Sequence, residues 1–196
     1  MPTAILRSAI CFNGLMKIAI TGGIAEGKST VLAHIQTMGY EVASADQIAK
    51  QIMEKESVWA QIEHFAPKFA NLPKAEFRAA VFTDKTLRRR INRLVHPLVM
   101  DEIQRHSARF VEVPLLLEAC IQGEFERVWV VTCGREEQRR RLIERVQDEV
   151  LAERQIESQL DSEIKCAFAD EVIRTNLPRP TVVSDVRRLV EREFAK

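Results

Sequence analysis

An α/β fold built on a parallel sheet is predicted by three features of the sequence. A short apolar run, Lys17-Ile18-Ala19-Ile20-Thr21, leads into a glycine-rich stretch, Gly22-Gly23-Ile24-Ala25-Glu26-Gly27-Lys28-Ser29-Thr30. A helical pattern follows at once, with Val31, Ile35 and Met38 on one face and Gly39 as a natural C′ residue. A second short strand, about Glu41 to Ser44, then ends in Ala45-Asp46. Strand, helix and strand within about thirty residues make a βαβ unit. Such a unit pairs its strands in parallel and leaves ligands at their carboxyl ends.

The glycine-rich stretch fits the pattern G-x-x-x-x-G-K-[ST], and its strand–loop–helix setting gives the pattern a mechanism. Glycines let the backbone wrap around phosphate oxygens. Successive N–H groups and the positive end of the next helix then point at the anion. Gly23, Ile24, Ala25, Glu26, Gly27, Lys28, Ser29 and Thr30 would hold a triphosphate in this way. Lys28 can reach its terminal phosphates, and the Ser29 hydroxyl can ligate Mg²⁺.

From Gln47 to about Arg109 no strand pattern appears. Ile48 and Ile52 share one helical face, and Val58, Ile62 and Phe65 share another. Pro67 to Pro73 breaks the run. Helical patterns resume at Lys74–Phe82 and Asp84–Val95, and again after Pro97, which is placed as a first-turn residue of a new helix. A span of about sixty residues is too long for an unstructured loop. It is expected to be a helical subdomain inserted after the second strand. Arg109 to Leu117 reads as a buried strand leading into a loop, and Val128 to Thr132 as another strand. An arginine-dense helix runs from Gly134 to Arg145, and a polar helical stretch continues to about Phe168. Glu171 to Arg174 is the last short strand, and Val183, Val186 and Val190 mark the core face of a closing helix. Trp59 and Trp129 are expected in the core.

At 196 residues the chain can bury a real core in one to one-and-a-half domains. A hydrophobic content of 46% and a charged content of 29% are ordinary for a globular protein. The net charge of +1 argues against a general nucleic-acid or membrane-surface binder. Cys11, Cys120, Cys133 and Cys166 contain no C-x-x-C pair, and His34, His64, His96 and His106 show no metal spacing. Neither zinc nor a disulfide framework is expected, and free thiols fit a reducing cytoplasm. No apolar run approaches the ~20 residues of a membrane-spanning helix. Residues 1–15 have a poor n-region and no clear cleavage site for a signal peptide. Met16 stands directly before the first strand, so translation starting there is expected, with residues 1–15 a dispensable extension.

Several polar residues bear two readings. Asp46, at the carboxyl end of the second strand, can take a proton from a substrate hydroxyl, or it can cap the helix beginning at Gln47. Arg141 and Arg145, four apart, share a helix face. They can clamp phosphates from a mobile lid, or form a solvated basic face balanced by Glu136, Glu137 and Glu144. His96 can cap, pack or bind, and Glu118 can lie near Mg²⁺ or be an ordinary loop carboxylate.

Taken together, residues across most of 17–195 resemble the dephospho-CoA kinase family. The resemblance begins with Ile20-Thr21-Gly22-Gly23-Ile24 running into Gly27-Lys28-Ser29-Thr30-Val31. It continues through Ala45-Asp46-Gln47-Ile48-Ala49, Val81-Phe82, Leu94-Val95-His96-Pro97-Leu98-Val99 and Val113-Pro114-Leu115-Leu116-Leu117-Glu118. Gln138, Arg141-Leu142, Arg145, Gln159 and the segment Ala169-Asp170 to Asn176 complete it.

The resemblance implies transfer of the ATP γ-phosphoryl group to the ribose 3′-hydroxyl of dephospho-CoA, the last step of coenzyme A synthesis. It implies a P-loop kinase with a five-stranded parallel sheet, helices on both faces, an inserted helical substrate domain and a helical lid. On this chain the nucleotide-binding core would be residues 16–46, 108–134 and 161–196, the CoA-binding domain 47–107 and the lid 135–160. Asp46 would be the catalytic base, helped by Lys28, Arg141 and Arg145, and Asn176 would lie by the adenine. His96, Pro114, Leu115 and Glu118 would join Asp46 on the acceptor side. The implied partners are ATP, Mg²⁺ and dephospho-CoA, without nucleic acid or membrane, in a cytoplasmic monomer or small homo-oligomer.

The chain departs from the family pattern at several positions. Glu26 stands where a small residue is common, which sets a carboxylate beside the triphosphate. Ser44 replaces the first acid of the usual D-A-D, Lys74 replaces an arginine, and Val146 replaces an acid. Leu177 replaces the glycine after Asn176, and the stretch Ala66–Pro73 looks short. Glu26 and Leu177 keep open an inactive CoA-binding homologue. A kinase for another small molecule, a nucleoside or a sugar acid, is the nearer rival. A nucleotide-dependent switch would need N-K-x-D and D-x-x-G motifs, which are absent at suitable places.

Overall fold

The computed structural model describes residues 16–70 and 72–195, so the extension expected at residues 1–15 lies outside them. Five strands, β1 (Ile18–Thr21), β2 (Val42–Ser44), β3 (Phe110–Glu112), β4 (Arg127–Thr132) and β5 (Glu171–Arg174), form one sheet in the order β2-β3-β1-β4-β5. Every pairing is parallel, and β1 is central: Ile18 pairs with Phe110 of β3 on one side and Arg127 of β4 on the other. The chain leaves β1 for β2 and later returns to fill the space between them with β3. The order therefore reverses beside β1, and the crevice at its carboxyl end is where such sheets bind ligands.

Helix α1 (Lys28–Thr37) joins β1 to β2. Helices α2 (Ala45–Met53), α3 (Glu56–Phe65), α4 (Pro67–Ala70), α5 (Lys74–Thr83) and α6 (Lys85–Arg105) lie between β2 and β3. Helices α7 (Arg135–Val146), α8 (Glu149–Glu157) and α9 (Ser162–Cys166) lie between β4 and β5, and α10 (Arg179–Phe194) closes the chain. Strand residues alternate between two cores, one on each face of the sheet. Ile18, Ile20, Trp129 and Val131 pack with Val31 and Ile35 of α1 and with Val186 and Val190 of α10. Ala19, Val128 and Val130 pack against Ile48 of α2 and Ile103 of α6. Burial on both faces explains why these strands read as apolar runs and not as alternating ones.

Four expectations are corrected. Helix α6 runs unbroken through Pro97, where a new helix was expected. Proline there removes one backbone hydrogen bond and crowds the Arg93 carbonyl, at about 3 kcal/mol. The buried stripe Leu87, Ile91, Val95, Val99 and Ile103 continues in phase across it. Each such side chain gains about 1.5–3 kcal/mol on burial, so the stripe outweighs the proline. Strand β3 is shorter than Arg109–Leu117, because Pro114 has no N–H for a ladder and the chain turns from there. Val182 and not Val183 joins Val186 and Val190 in the core face of α10, since its register puts 182, 186, 189 and 190 inward. Trp129 is fully buried, but Trp59 is only partly so and lines a cavity, because α3 packs at the open edge of the helical insert. Among the described residues no helix is long and apolar enough to cross a membrane.

Candidate active site

The loop between β1 and α1 closes tightly around its glycines. Gly22 has φ +150°, and a Cβ there would lie 2.2 Å from the Val131 carbonyl oxygen. Gly27, the N-cap of α1, sits in the left-handed region at φ +91°, where a Cβ would come 2.8 Å from Thr175 Oγ1. Thr30 N and Val31 N donate to the Gly27 carbonyl, and the N–H groups of Lys28 and Ser29 that open α1 are left to face an anion. Lys28 arches back over the loop, its Nζ donating to the Gly22 and Gly23 carbonyls at 2.8 Å each. Burial pushes its pKa down, against the opposing pull of Glu112 and Glu26. Ser29 and Thr30 border a cavity of about 510 Å³ whose other walls include Thr175, Leu177 and three arginines, Arg141, Arg145 and Arg179. Asn176 lies exposed on the loop between Thr175 and Leu177.

The carboxylate of Glu26, expected beside the phosphates, is buried and turned onto the loop's own Gly23 N–H and two neighbouring hydroxyls. Only 1% exposed, it accepts hydrogen bonds from Gly23 N, from Thr132 Oγ1 at 2.8 Å and from Ser162 Oγ at 2.6 Å. Its position four residues after Gly22 lets the side chain fold behind the loop.

The arginine-dense helix α7 divides its charges. Arg135 and Arg139 pair with Glu149 and Glu153 of α8, and Arg140 pairs with Glu137 and Glu144 on its own helix. Arg141 turns the other way: its guanidinium donates to Thr175 Oγ1 at 3.1 Å and to the Thr175 carbonyl at 2.8 Å, while Nε pairs with Glu137. Hydrogen bonds from Arg140 and Arg141 hold the Glu137 carboxyl down at about 2. Arg145 has no ion pair among the described residues and borders the same cavity as Arg141. Between the loop and these helices, Gln138 Nε2 donates to the Ile24 carbonyl at 3.0 Å and Gln159 Oε1 accepts from Ile24 N at 2.8 Å. Leu142, Ala152 and Ile156 form a small core that packs on Ile24 and Ala25.

Across the crevice, Asp46 is exposed in the first turn of α2, whose N-cap is Ser44. The helix thus begins before Gln47, and the Asp46 carboxylate caps nothing. It borders a cavity of about 200 Å³ together with Asn92, His96, Pro114 and Leu115. A larger cavity of about 940 Å³ shares Ala49, Asn92 and Val95 with it and extends along the helices to Met53, Trp59, Phe77 and Val81, with Lys50 and Arg78 among its walls. Glu112, the last residue of β3, feels charges from both sides. Burial raises its pKa, the Lys28 charge opposes that shift, and the Asp46 charge reinforces it. Glu112 and Arg179 were not singled out in the sequence. The only signal for Glu112 was an acid closing an apolar strand, and Arg179 sits among prolines with no pattern around it.

Glu118 does not face a solvent loop. Its Oε1 accepts from Leu160 N at 3.0 Å and lies 2.7 Å from Nζ of the fully buried Lys165. Burial favours the neutral acid, but Lys165 and the backbone donors prevail and hold its pKa below the usual carboxylate range.

Phosphate loops occur in many enzymes that hydrolyse nucleotides. Here an exposed acid lies across from the loop, a ligand-sized cavity opens behind that acid, and a helix brings two arginines to the loop's rim. Those are the parts of a P-loop kinase, which needs an acceptor beside the triphosphate. The profile of the dephospho-CoA kinase family matches residues 16–178, and the chain belongs to that family. A dephospho-CoA kinase of Fusobacterium nucleatum is 34% identical over 189 residues, which cover 90% of this chain and 98% of that one. A solved structure from Thermus thermophilus superposes with a TM-score of 0.76 at 27% identity, covering 92% of this chain and 98% of its own. The dephospho-CoA kinase from Campylobacter jejuni superposes at 0.59 and 22% identity, covering 90% and 96%, a likeness of fold alone.

Proposed function

We propose that this protein transfers the γ-phosphoryl group of ATP to the ribose 3′-hydroxyl of dephospho-CoA, giving coenzyme A. The observation that carries this reading is Asp46: exposed, with no hydrogen bond among the described residues, and bordering a cavity at the carboxyl ends of the strands. There it accepts the hydroxyl proton as the oxygen attacks the γ-phosphorus. The loop of residues 23–30 holds the triphosphate through those of its N–H groups that no protein acceptor takes, and Lys28 moves from its carbonyl partners to the terminal phosphates. Arg141 and Arg145 offset the charge that builds on the transferring group.

The Ser29 hydroxyl, next to Lys28 in the loop, and the Glu112 carboxylate, whose charge acts on Lys28, are hard oxygen donors, a set that suits Mg²⁺, which keeps several waters and takes few protein ligands. When bound, Mg²⁺ would neutralise phosphate charge. Residues 47–107 would receive dephospho-CoA, whose part-apolar, part-anionic character suits a cavity walled by Trp59, Phe77 and Met53 together with Lys50 and Arg78. Residues 135–160 would form the lid, and residues 16–46, 108–134 and 161–196 the nucleotide-binding core. Asn176 would lie by the adenine. A cytoplasmic enzyme, monomeric or a small homo-oligomer, fits this role.

The test is an assay of ATP with dephospho-CoA that follows coenzyme A directly, run beside adenosine and gluconate. Coenzyme A formation supports the assignment. Transfer to adenosine or gluconate with none to dephospho-CoA overturns it, and no transfer to any acceptor points to an inactive homologue.

A further inference from the structure

Glu26 is a buried titratable residue that the phosphoryl-transfer chemistry leaves unused. Its carboxylate touches three separate segments. Oε2 accepts from Gly23 N at the start of the loop and from Ser162 Oγ, the first residue of α9, at 2.6 Å. Oε1 accepts at 2.8 Å from Thr132 Oγ1 at the end of β4, and the Thr132 hydroxyl oxygen in turn accepts from Gly134 N, just before α7, at 3.1 Å. The backbone of Glu26 is held as well, its carbonyl accepting from Thr175 Oγ1 at 2.7 Å. The fit is close: a Cβ on Gly23 would lie 2.8 Å from Glu26 Oε2.

We propose that Glu26 is a positioning residue that braces the phosphate loop from behind, tying it to the end of β4 and to α9, so that the shape of the loop and the seat of α9 form one unit. The physical reason is accounting of donors. Gly23 N–H cannot turn away as a hydroxyl can, and a buried donor without a partner costs about 1–3 kcal/mol. With Glu26 present, the loop resting shape satisfies that donor. Without it, the loop gains by reaching other shapes, and ATP must restore the receptive one on binding. None of the groups that act in transfer, Asp46, Lys28 and the arginines, hydrogen-bonds to the Glu26 side chain among the described residues, and Lys28 feels it only as a charge. The effect is therefore read as a loss of ATP affinity.

This role rests on the ATP-binding loop proposed above and is read by equilibrium binding of ATP, which needs no acceptor. Glu26→Ala is expected to weaken ATP binding by about 10- to 100-fold, the loss of a hydrogen-bonded charged partner. Dephospho-CoA binding should stay within about twofold, because Glu26 touches nothing on the acceptor side. Glu26→Gln, which keeps an oxygen for Gly23 N and Ser162 Oγ and turns its amide toward Thr132, is expected to recover most of the lost affinity. Glu26→Asp, one methylene short, is not. Ser162→Ala tests the far end of the link in a chain that retains Glu26, and should weaken ATP binding by about 3- to 10-fold. Combined with Glu26→Ala it should add little, because both remove the same link.

Unchanged ATP affinity in Ser162→Ala or Glu26→Ala overturns the proposal. So does a Glu26→Gln variant as impaired as Glu26→Ala, which would make the role one of charge. Equal losses of ATP and dephospho-CoA affinity overturn it too, by showing general damage to the fold. A protein that binds ATP in this Glu26-dependent way but leaves dephospho-CoA untouched would refute the acceptor and uphold the brace.

Discussion

Around the phosphate loop, Lys28, Glu26, Gln138, Gln159 and Arg141 all hydrogen-bond to other parts of the protein. Across the crevice, Asp46 makes no such bond among the described residues, Trp59 is only partly covered, and a cavity of about 940 Å³ stands open along α2, α3, α5 and α6. The two walls of the proposed site, nucleotide on one side and acceptor on the other, are thus finished to different degrees. The nucleotide side is charged and half-buried, and polar groups in that setting must be satisfied before the ligand arrives. The acceptor side is largely apolar, where an open surface forfeits only weak contacts and a ligand can supply them later. The nucleotide wall is therefore expected to be set in advance, while the acceptor wall takes its final form around its substrate.

Substitutions on the two walls should separate cleanly. The largest effect is expected from Asp46→Asn, which keeps the shape of the residue but cannot accept the proton. ATP binding should persist while kcat falls by about 10²–10⁴-fold. Measuring both on one preparation settles the matter, and an unchanged kcat would remove Asp46 as the base. Arg145→Ala comes next, with kcat lowered by about 10²-fold and thermal stability unaltered, since among the described residues this arginine has no ion pair to lose. A loss of stability in place of turnover would return it to the surface face of α7.

Trp59→Ala should raise KM for dephospho-CoA about tenfold and leave KM for ATP alone, in line with the apolar surface it removes from the larger cavity. An equal rise in both values would break the division between the walls. The smallest effect concerns the ion pairs behind the loop. The Glu137 carboxyl is lowered from 4.5 to about 2 by Arg140 and Arg141. A depressed acid contributes stability that is present above its unfolded pKa and lost as pH falls through the folded one. Wild-type stability should therefore decline between about pH 4.5 and 2 more steeply than that of Glu137→Gln. Urea unfolding across that range, at low salt, reads the difference. Because Glu137 is exposed, added salt should shrink it.

The sequence by itself determined what contiguous residues can encode. Gly22, Gly27, Lys28 and Ser29 lie within eight positions and act through local backbone geometry, so the strand, loop and first helix were legible at once. The apolar runs of β4 and β5, the helical insert and the arginine helix were legible too, since burial on both faces of a sheet or along one stripe leaves a periodic trace. Asp46 was visible as an acid at a strand end, though whether it capped or faced a ligand was not.

Contacts between distant segments decided the rest. The strand order β2-β3-β1-β4-β5 follows from how the cores close, and it is what brings Glu112 under the charges of both Lys28 and Asp46. Helix α6 continues through Pro97 because its stripe is buried by α2 and α3, a gain no local propensity contains. Arg141 turns to Thr175, thirty-four residues away in sequence, while Arg140 beside it stays on the surface. Glu26 looked like a charge set among phosphates. Its partners, Thr132 and Ser162, lie 106 and 136 residues further along the chain, and only the folded sheet brings their hydroxyls behind the loop to receive it.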